Sequence, residues 1–185
     1  MRFEDTRLPW VSPSPNMATP LTTRVYPGGC LIEGTNLSEG RGTTNPFELV
    51  GAPWLDGHEL AAALRREALP GTLFRSASFR PMFQKHAGQT CSGVQVIVDD
   101  PEKFRAFPTF LALIREARRQ APDSFRWRTR VYEFETERLA IDLLLGRADL
   151  RSMLESGASL DEMQSSWTSE LEAFAALRQR FLLYD

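Results

Sequence analysis

The chain has 185 residues, of which 42% are hydrophobic and 25% charged, and a formal net charge of −2. That length suits one domain with a real hydrophobic core, and the near-balanced charge gives no reason to expect nucleic acid or an anionic membrane as a partner. No apolar run approaches the ~20 residues of a membrane span, and the opening MRFEDTRLPW lacks the apolar stretch of a signal peptide. The cysteines, Cys30 and Cys91, are too few and too far apart for a zinc-finger pattern. Two unpaired, half-buried thiols are expected, with a disulfide open to them only in an oxidising compartment.

In chain order, Pro9, Pro13 and Pro15 bias Leu8–Met17 toward extended backbone. Residues 1–17 therefore read as an extended connection, and Met1 as an internal methionine of a longer protein. Thr19 followed by Pro20 marks a helix start, and Pro27, Gly28 and Gly29 should stop that helix near Tyr26. Cys30–Glu33 is a short apolar run. Phe47–Trp54 reads as a strand ending at Pro53. Asp56 and Glu59 fit a capping-box start for a helix carrying Leu60, Ala61, Leu64 and Ala68. Leu73–Phe79 and Gly93–Val98 are strand candidates, and GVQVIV is continuous enough to be central.

Phe107, Phe110, Leu111 and Ile114 mark the apolar face of a second long helix that ends before Pro122. Phe125–Phe134 alternates aromatic with polar residues and predicts a strand. Beyond Thr136 the pattern is helical, with stops at Gly146 and Gly157 and a capping box at Ser159 and Glu162. Leu160, Met163, Trp167, Leu171, Phe174 and Phe181 form one stripe, expected in the core. The fold class is mixed α/β: a single domain with a central mixed sheet flanked by helices over 18–134 and a helical third over 135–185.

The chemistry concentrates in EGTNLSEGRGTTNPFE, the polar loop 33–48. Gly34, Gly40 and Gly42 allow sharp turns and close approach to a ligand. No glycine–lysine–serine/threonine run follows, so this is not a Walker loop, and the glycine spacing is wrong for a dinucleotide fingerprint. Glu33 and Glu39 offer the two carboxylates that glycoside hydrolysis needs, one as proton donor and one as base or nucleophile. Arg41 suits a carboxylate of the ligand. Asn36, Ser38, Thr43, Thr44 and Glu48 can donate or accept bonds to an amino sugar. The same run also reads as a solvated loop in which Glu33 or Glu39 simply pairs with Arg41. Asn16, Arg80 and His86 are weaker binding candidates, as are Arg75 and His58. The histidines have no clustered ligands, so neither a metal nor another cofactor is expected.

WVSPSPNMATP, YPGGCLIEGTNLSEGRGTTNPFELVGAPW, CSGVQVIVDD and the terminal FLLYD together resemble the C-terminal half of the NamZ-type exo-β-N-acetylmuramidases, across nearly the whole chain. The resemblance implies the C-terminal domain of a two-domain, Rossmann-like glycosidase with its active site in the cleft between the halves. It also implies release of N-acetylmuramic acid from the non-reducing ends of peptidoglycan fragments, and a mostly exported family. The partners it implies are a muropeptide or other MurNAc-containing saccharide, and an N-terminal half that this chain does not contain. The family's principal catalytic glutamate is expected in that half. On this reading Arg41 would hold the lactyl carboxylate, and Glu33 and Glu39 would bind substrate or support the distant acid. The alternative is a muramyl-sugar-binding module without turnover.

Overall fold

The computed structural model describes residues 3–183. After a single 3-10 turn at Phe3–Thr6, no regular element occurs until α1 (Pro20–Gly29). Thr19 caps α1 by accepting from the Thr22 N–H, and Pro20 takes the first helical position. The predicted stop near Tyr26 is not observed. The helix continues through Pro27 to Gly29 and passes straight into a 3-10 turn at Cys30–Gly34. Its glycines are there for packing: a Cβ on Gly28 would sit 2.2 Å from the Ala106 carbonyl oxygen and 2.7 Å from the Phe110 ring. Only a bare backbone lets α1 close on α3 (Ala106–Gln120) this tightly.

The sheet has three strands, β1 (Leu49–Ala52), β2 (Thr72–Phe79) and β3 (Cys91–Val98), in the order β1-β3-β2. GVQVIV is central, as its continuous apolar character predicts. Both pairings are antiparallel, with Val50 opposite Val94 and Phe74 opposite Val96, so the sheet is not the mixed one expected. One face carries Val50, Phe74, Val94 and Val96 into the main core with α1, α2 (Gly57–Arg66) and α3. The other face holds only the small cluster of Leu49, Phe79 and Cys91. Asp56 caps α2 through the His58 and Glu59 N–H groups. Ala68, predicted on the apolar face of α2, lies beyond its end, exposed and at φ 50°. Cys30 and Cys91 are unpaired, and Cys91 is fully buried rather than half-buried.

Two further predictions fail for local reasons. Phe125–Phe134 forms no strand and contributes only the single bridges Thr35–Trp127 and Tyr132–Glu135. Its aromatics satisfy each other instead, with Phe125 and Trp127 edge-to-face at 4.9 Å. The C-terminal stripe also splits. The helices α4 (Ala140–Leu145) and α5 (Ala148–Ser156) end at left-handed glycines, and α6 (Leu160–Ser165) opens on the predicted capping box. Leu160 and Met163 reach the core, and Trp167 packs edge-to-face on Phe107. There the chain turns, and α7 (Thr168–Arg178) leaves the core, with Leu171, Phe174 and Phe181 58%, 59% and 74% exposed. No described helix is long and apolar enough to cross a membrane.

Candidate functional site

The polar loop is anchored by apolar residues in it and just before it. Leu31, Ile32 and Leu37 are fully buried. Between Leu37 and β1, Ser38 exchanges both backbone bonds with Gly51, at 2.8 and 3.1 Å, and so adds one bridge to the free edge of β1. Asn36 ties the loop to the segment after α3. Its side chain donates to the Ser124 carbonyl and accepts from the Arg126 N–H, while its own N–H donates to the Arg126 carbonyl. Gly40 and Gly42 hold φ of 72° and 80°. A Cβ on Gly42 would come within 2.7 Å of the Met82 nitrogen, so the loop carrying Lys85 and His86 is seated directly on this glycine.

These contacts bring Glu33, Glu39, Arg41, Lys85, His86 and Tyr132 to one cavity of about 710 Å³. Arg41 donates from Nη2 to Glu33 Oε1 at 2.6 Å and from Nε to Glu39 Oε1 at 3.0 Å, with its guanidinium 4.9 Å from the Phe47 ring centre. Burial opposes the Arg41 charge, but the two carboxylates more than restore it and raise its pKa. Lys85 Nζ donates to the Ile32 and Thr35 carbonyls and lies 2.8 Å from Glu39 Oε2. Glu39 Oε2 is buried, and the Lys85 ammonium is the cation that balances it. Burial pushes the Lys85 ammonium below its ordinary pKa, and Glu39 draws it back only in part.

The second wall is the segment after α3. Trp127, Arg128, Thr129, Arg130, Tyr132 and Glu133 line the same cavity, and the run is tied to the loop by the Thr35–Trp127 bridge. Tyr132 joins the two walls by donating from its hydroxyl to Glu33 Oε2 at 3.1 Å. Burial, then the Glu33 charge, pushes the phenol well above its ordinary pKa. Glu135 pins the end of this segment by accepting from the Glu137 N–H and pairing with Arg138, which together hold its carboxyl down to about 2. His86 Nε2 lies 2.8 Å from the Asn36 carbonyl, an acceptor only, so Nε2 carries the proton. Gln84, His86 and Glu133 all line the cavity at positive φ (67°, 58° and 48°), a backbone state that persists only where the surroundings enforce it.

Of the residues proposed from sequence, Glu33, Asn36, Glu39, Arg41 and His86 line the cavity. The bidentate edge of Arg41 faces its own glutamates rather than the open space. Ser38, Thr43, Thr44 and Glu48 do not line it. The Ser38 and Thr43 hydroxyls serve the turn, Thr44 bonds Asn45, and Glu48 holds Thr22 and Asn45. Asn16 binds Ser14 in the N-terminal segment, and Arg80 is exposed beside Gly88, 3.9 Å from where a Cβ would stand. Arg75 bonds Gln95 across the sheet, and His58 is exposed on α2. Sequence reasoning missed Lys85, Tyr132, Arg128 and Arg130. For Tyr132, Arg128 and Arg130 the signal was present in the dense basic–aromatic run FRWRTRVYEF, read above as a strand; Lys85 carried none. No cluster of metal-ligating side chains occurs among the described residues.

Comparison with known proteins identifies the family. The family described as exo-β-N-acetylmuramidase NamZ, C-terminal, matches residues 24–184. The peptidoglycan β-N-acetylmuramidase NamZ of Bacillus subtilis (strain 168) is 45% identical over 184 residues, spanning 100% of this chain and 42% of the relative. Two crystal structures of DUF1343-family proteins from Bacteroides fragilis, each 25% identical, superpose with TM-scores of 0.85 and 0.67, covering 100% and 94% of this chain but 48% and 44% of theirs. The chain thus spans under half the length of the relatives it matches, and it belongs to the NamZ C-terminal family of exo-β-N-acetylmuramidases.

Proposed function

We propose that this chain supplies one wall of the sugar site of an exo-β-N-acetylmuramidase, acting on peptidoglycan fragments to release N-acetylmuramic acid from their non-reducing ends. The carrying observation is the convergence of Glu33, Glu39, Arg41, Lys85, His86 and Tyr132 on one open cavity in a member of this family. Glu33 is the carboxylate that meets substrate, its side chain 15% exposed against 4% for Glu39. Glu39 acts from behind, fixing Arg41 and Lys85 in place. The partner is an N-terminal half of the same enzyme, which closes the cavity and supplies the other acid of the glycosidase pair. The test is release of chromophore from a chromogenic N-acetylmuramide, by this chain alone and by this chain with that half. Turnover that requires both halves supports the proposal; equal inactivity of the assembled pair removes it.

One observation favours a second reading. Both loop carboxylates that line the cavity, Glu33 and Glu39, are already paired with cations, so by itself the chain presents a binding surface rather than a free proton donor. As a muramyl-sugar-binding module it would give calorimetric heat with N-acetylmuramic acid and no release from the chromogenic substrate. Turnover by the isolated chain would exclude this.

A further inference from the structure

The charges of the cavity divide into two sets. On the loop side, Arg41 and Lys85 are matched by Glu33 and Glu39, so that floor is internally neutralised. In the Trp127–Glu133 run, Arg128 and Arg130 share the lining with a single carboxylate, Glu133, and neither arginine has a carboxylate partner among the described residues. Arg128 is held in place, with its guanidinium 5.1 Å from the Tyr132 ring centre and Nη2 donating to the Val131 carbonyl. Its backbone N–H donates to the Gly34 carbonyl at 2.8 Å. Arg130 is exposed, and its guanidinium makes no hydrogen bond or ion pair with any described residue. A cation kept unpaired inside a concave site is available to a ligand, whereas Arg41 is already committed.

We propose that Arg128 and Arg130 form the anion-recognising part of the cavity and bind a carboxylate of the ligand, a role that Arg41 does not fill. This rests on the reading of the cavity as a muramyl-sugar site. A guanidinium matches a carboxylate through two parallel N–H bonds. Arg128, stacked on Tyr132, supplies the fixed member, and Arg130 the mobile one. Two carboxylates of a peptidoglycan fragment fit this chemistry: the lactyl group of the sugar, and the acids of an attached peptide.

The experiment is calorimetry on the full chain with three probes. N-acetylmuramic acid carries the lactyl carboxylate, muramyl dipeptide carries its one free carboxylate on the peptide, and N-acetylglucosamine carries neither. The unaltered chain should bind the first two more tightly than the third. Arg130→Ala should cut that advantage about tenfold, the usual worth of one charge-assisted hydrogen bond, and leave N-acetylglucosamine unchanged. Arg130→Glu, which places a like charge at the same point, should abolish it. Loss confined to N-acetylmuramic acid assigns the lactyl carboxylate, and loss confined to muramyl dipeptide assigns the peptide. An acid preference that survives both Arg130→Ala and Arg128→Gln overturns the proposal while leaving the sugar site standing. Failure of the unaltered chain to bind any of the three, both alone and assembled with the N-terminal half, removes the sugar-site reading itself.

Discussion

The two walls of the cavity are built from similar residues in opposite ways. The Glu33–Arg41 wall buries its charges, pairs each with an opposite one, and seats the loop on glycines that tolerate no side chain. The Trp127–Glu133 wall leaves its arginines unpaired, its backbone largely unladdered and its tip in solvent, with Phe134 98% exposed. Buried charge is costly unless matched, so the first wall can exist only as a closed network. Exposed charge costs little, so the second can keep its cations free. One wall is therefore organised for position and the other for contact. Substitutions in the first should cost stability, and substitutions in the second should cost ligand.

The largest effect is expected at Glu39. Glu39→Gln leaves Lys85 without its counter-ion and Arg41 with only Glu33, and removing one member of a buried ion pair costs about 3 kcal/mol. Chemical denaturation at neutral pH checks this. A loss under about 0.5 kcal/mol, the range of ordinary surface changes, would show that the first wall does not depend on its network. Gly42→Ala comes next. It places a Cβ at φ 80° within 2.8 Å of the Met82 and Phe83 nitrogens, which are backbone and cannot swing aside. Overpacking of this kind costs about 1–3 kcal/mol. The displaced loop carries Lys85 and His86, so binding of N-acetylmuramic acid should weaken together with the unfolding midpoint.

Legibility followed the same division. Local rules that need only neighbouring residues were readable: the Thr19–Pro20 start, the Asp56 and Ser159 caps, the glycine stops after α4 and α5, and the central β3. The loop as a whole announced itself through its crowded polar chemistry, and the option that its glutamates pair with Arg41 was visible from charge alone. What could not be read was decided over distance. Gly28 looks like a helix breaker until α3 is known to press on it. Lys85 looks like any loop lysine until the fold sets it beside Glu39, 46 positions earlier in the chain. The α7 stripe has core periodicity, but periodicity cannot report that the chain turns away at Trp167. Alternation in FRWRTRVYEF imitates a strand, yet Trp127, Arg128, Thr129 and Arg130 line the cavity in succession, so the alternation marks no sheet face.

Tyr132 tests whether the walls act as one. It belongs to the second but donates to Glu33 of the first. Tyr132→Phe removes that bond and should cost about 1 kcal/mol, more than loss of the unpaired Arg130 in its own wall. Its pH signature is separate. A folded pKa raised above the ordinary value of 10.0 means that the native state holds its proton more tightly than the unfolded chain does. This contribution is fully present below pH 10 and is lost as pH climbs above it, so the native chain should lose more stability above pH 10 than Tyr132→Phe does. Equal losses in the two would mean that the phenol is not held against Glu33.

The smallest effect on stability, and the sharpest contrast, is expected at Arg130. Arg41→Ala strips Glu33 and Glu39 of their shared cation, whereas Arg130→Ala removes a cation with no partner among the described residues. Unfolding free energy should therefore fall by about 2 kcal/mol or more in the first and stay within about 0.5 kcal/mol in the second. Both substitutions delete an arginine from the same cavity, so any difference between them measures pairing rather than residue type. If Arg130→Ala destabilised the chain as much as Arg41→Ala, the second wall would also be a structural network, and its arginines would not be free for a ligand.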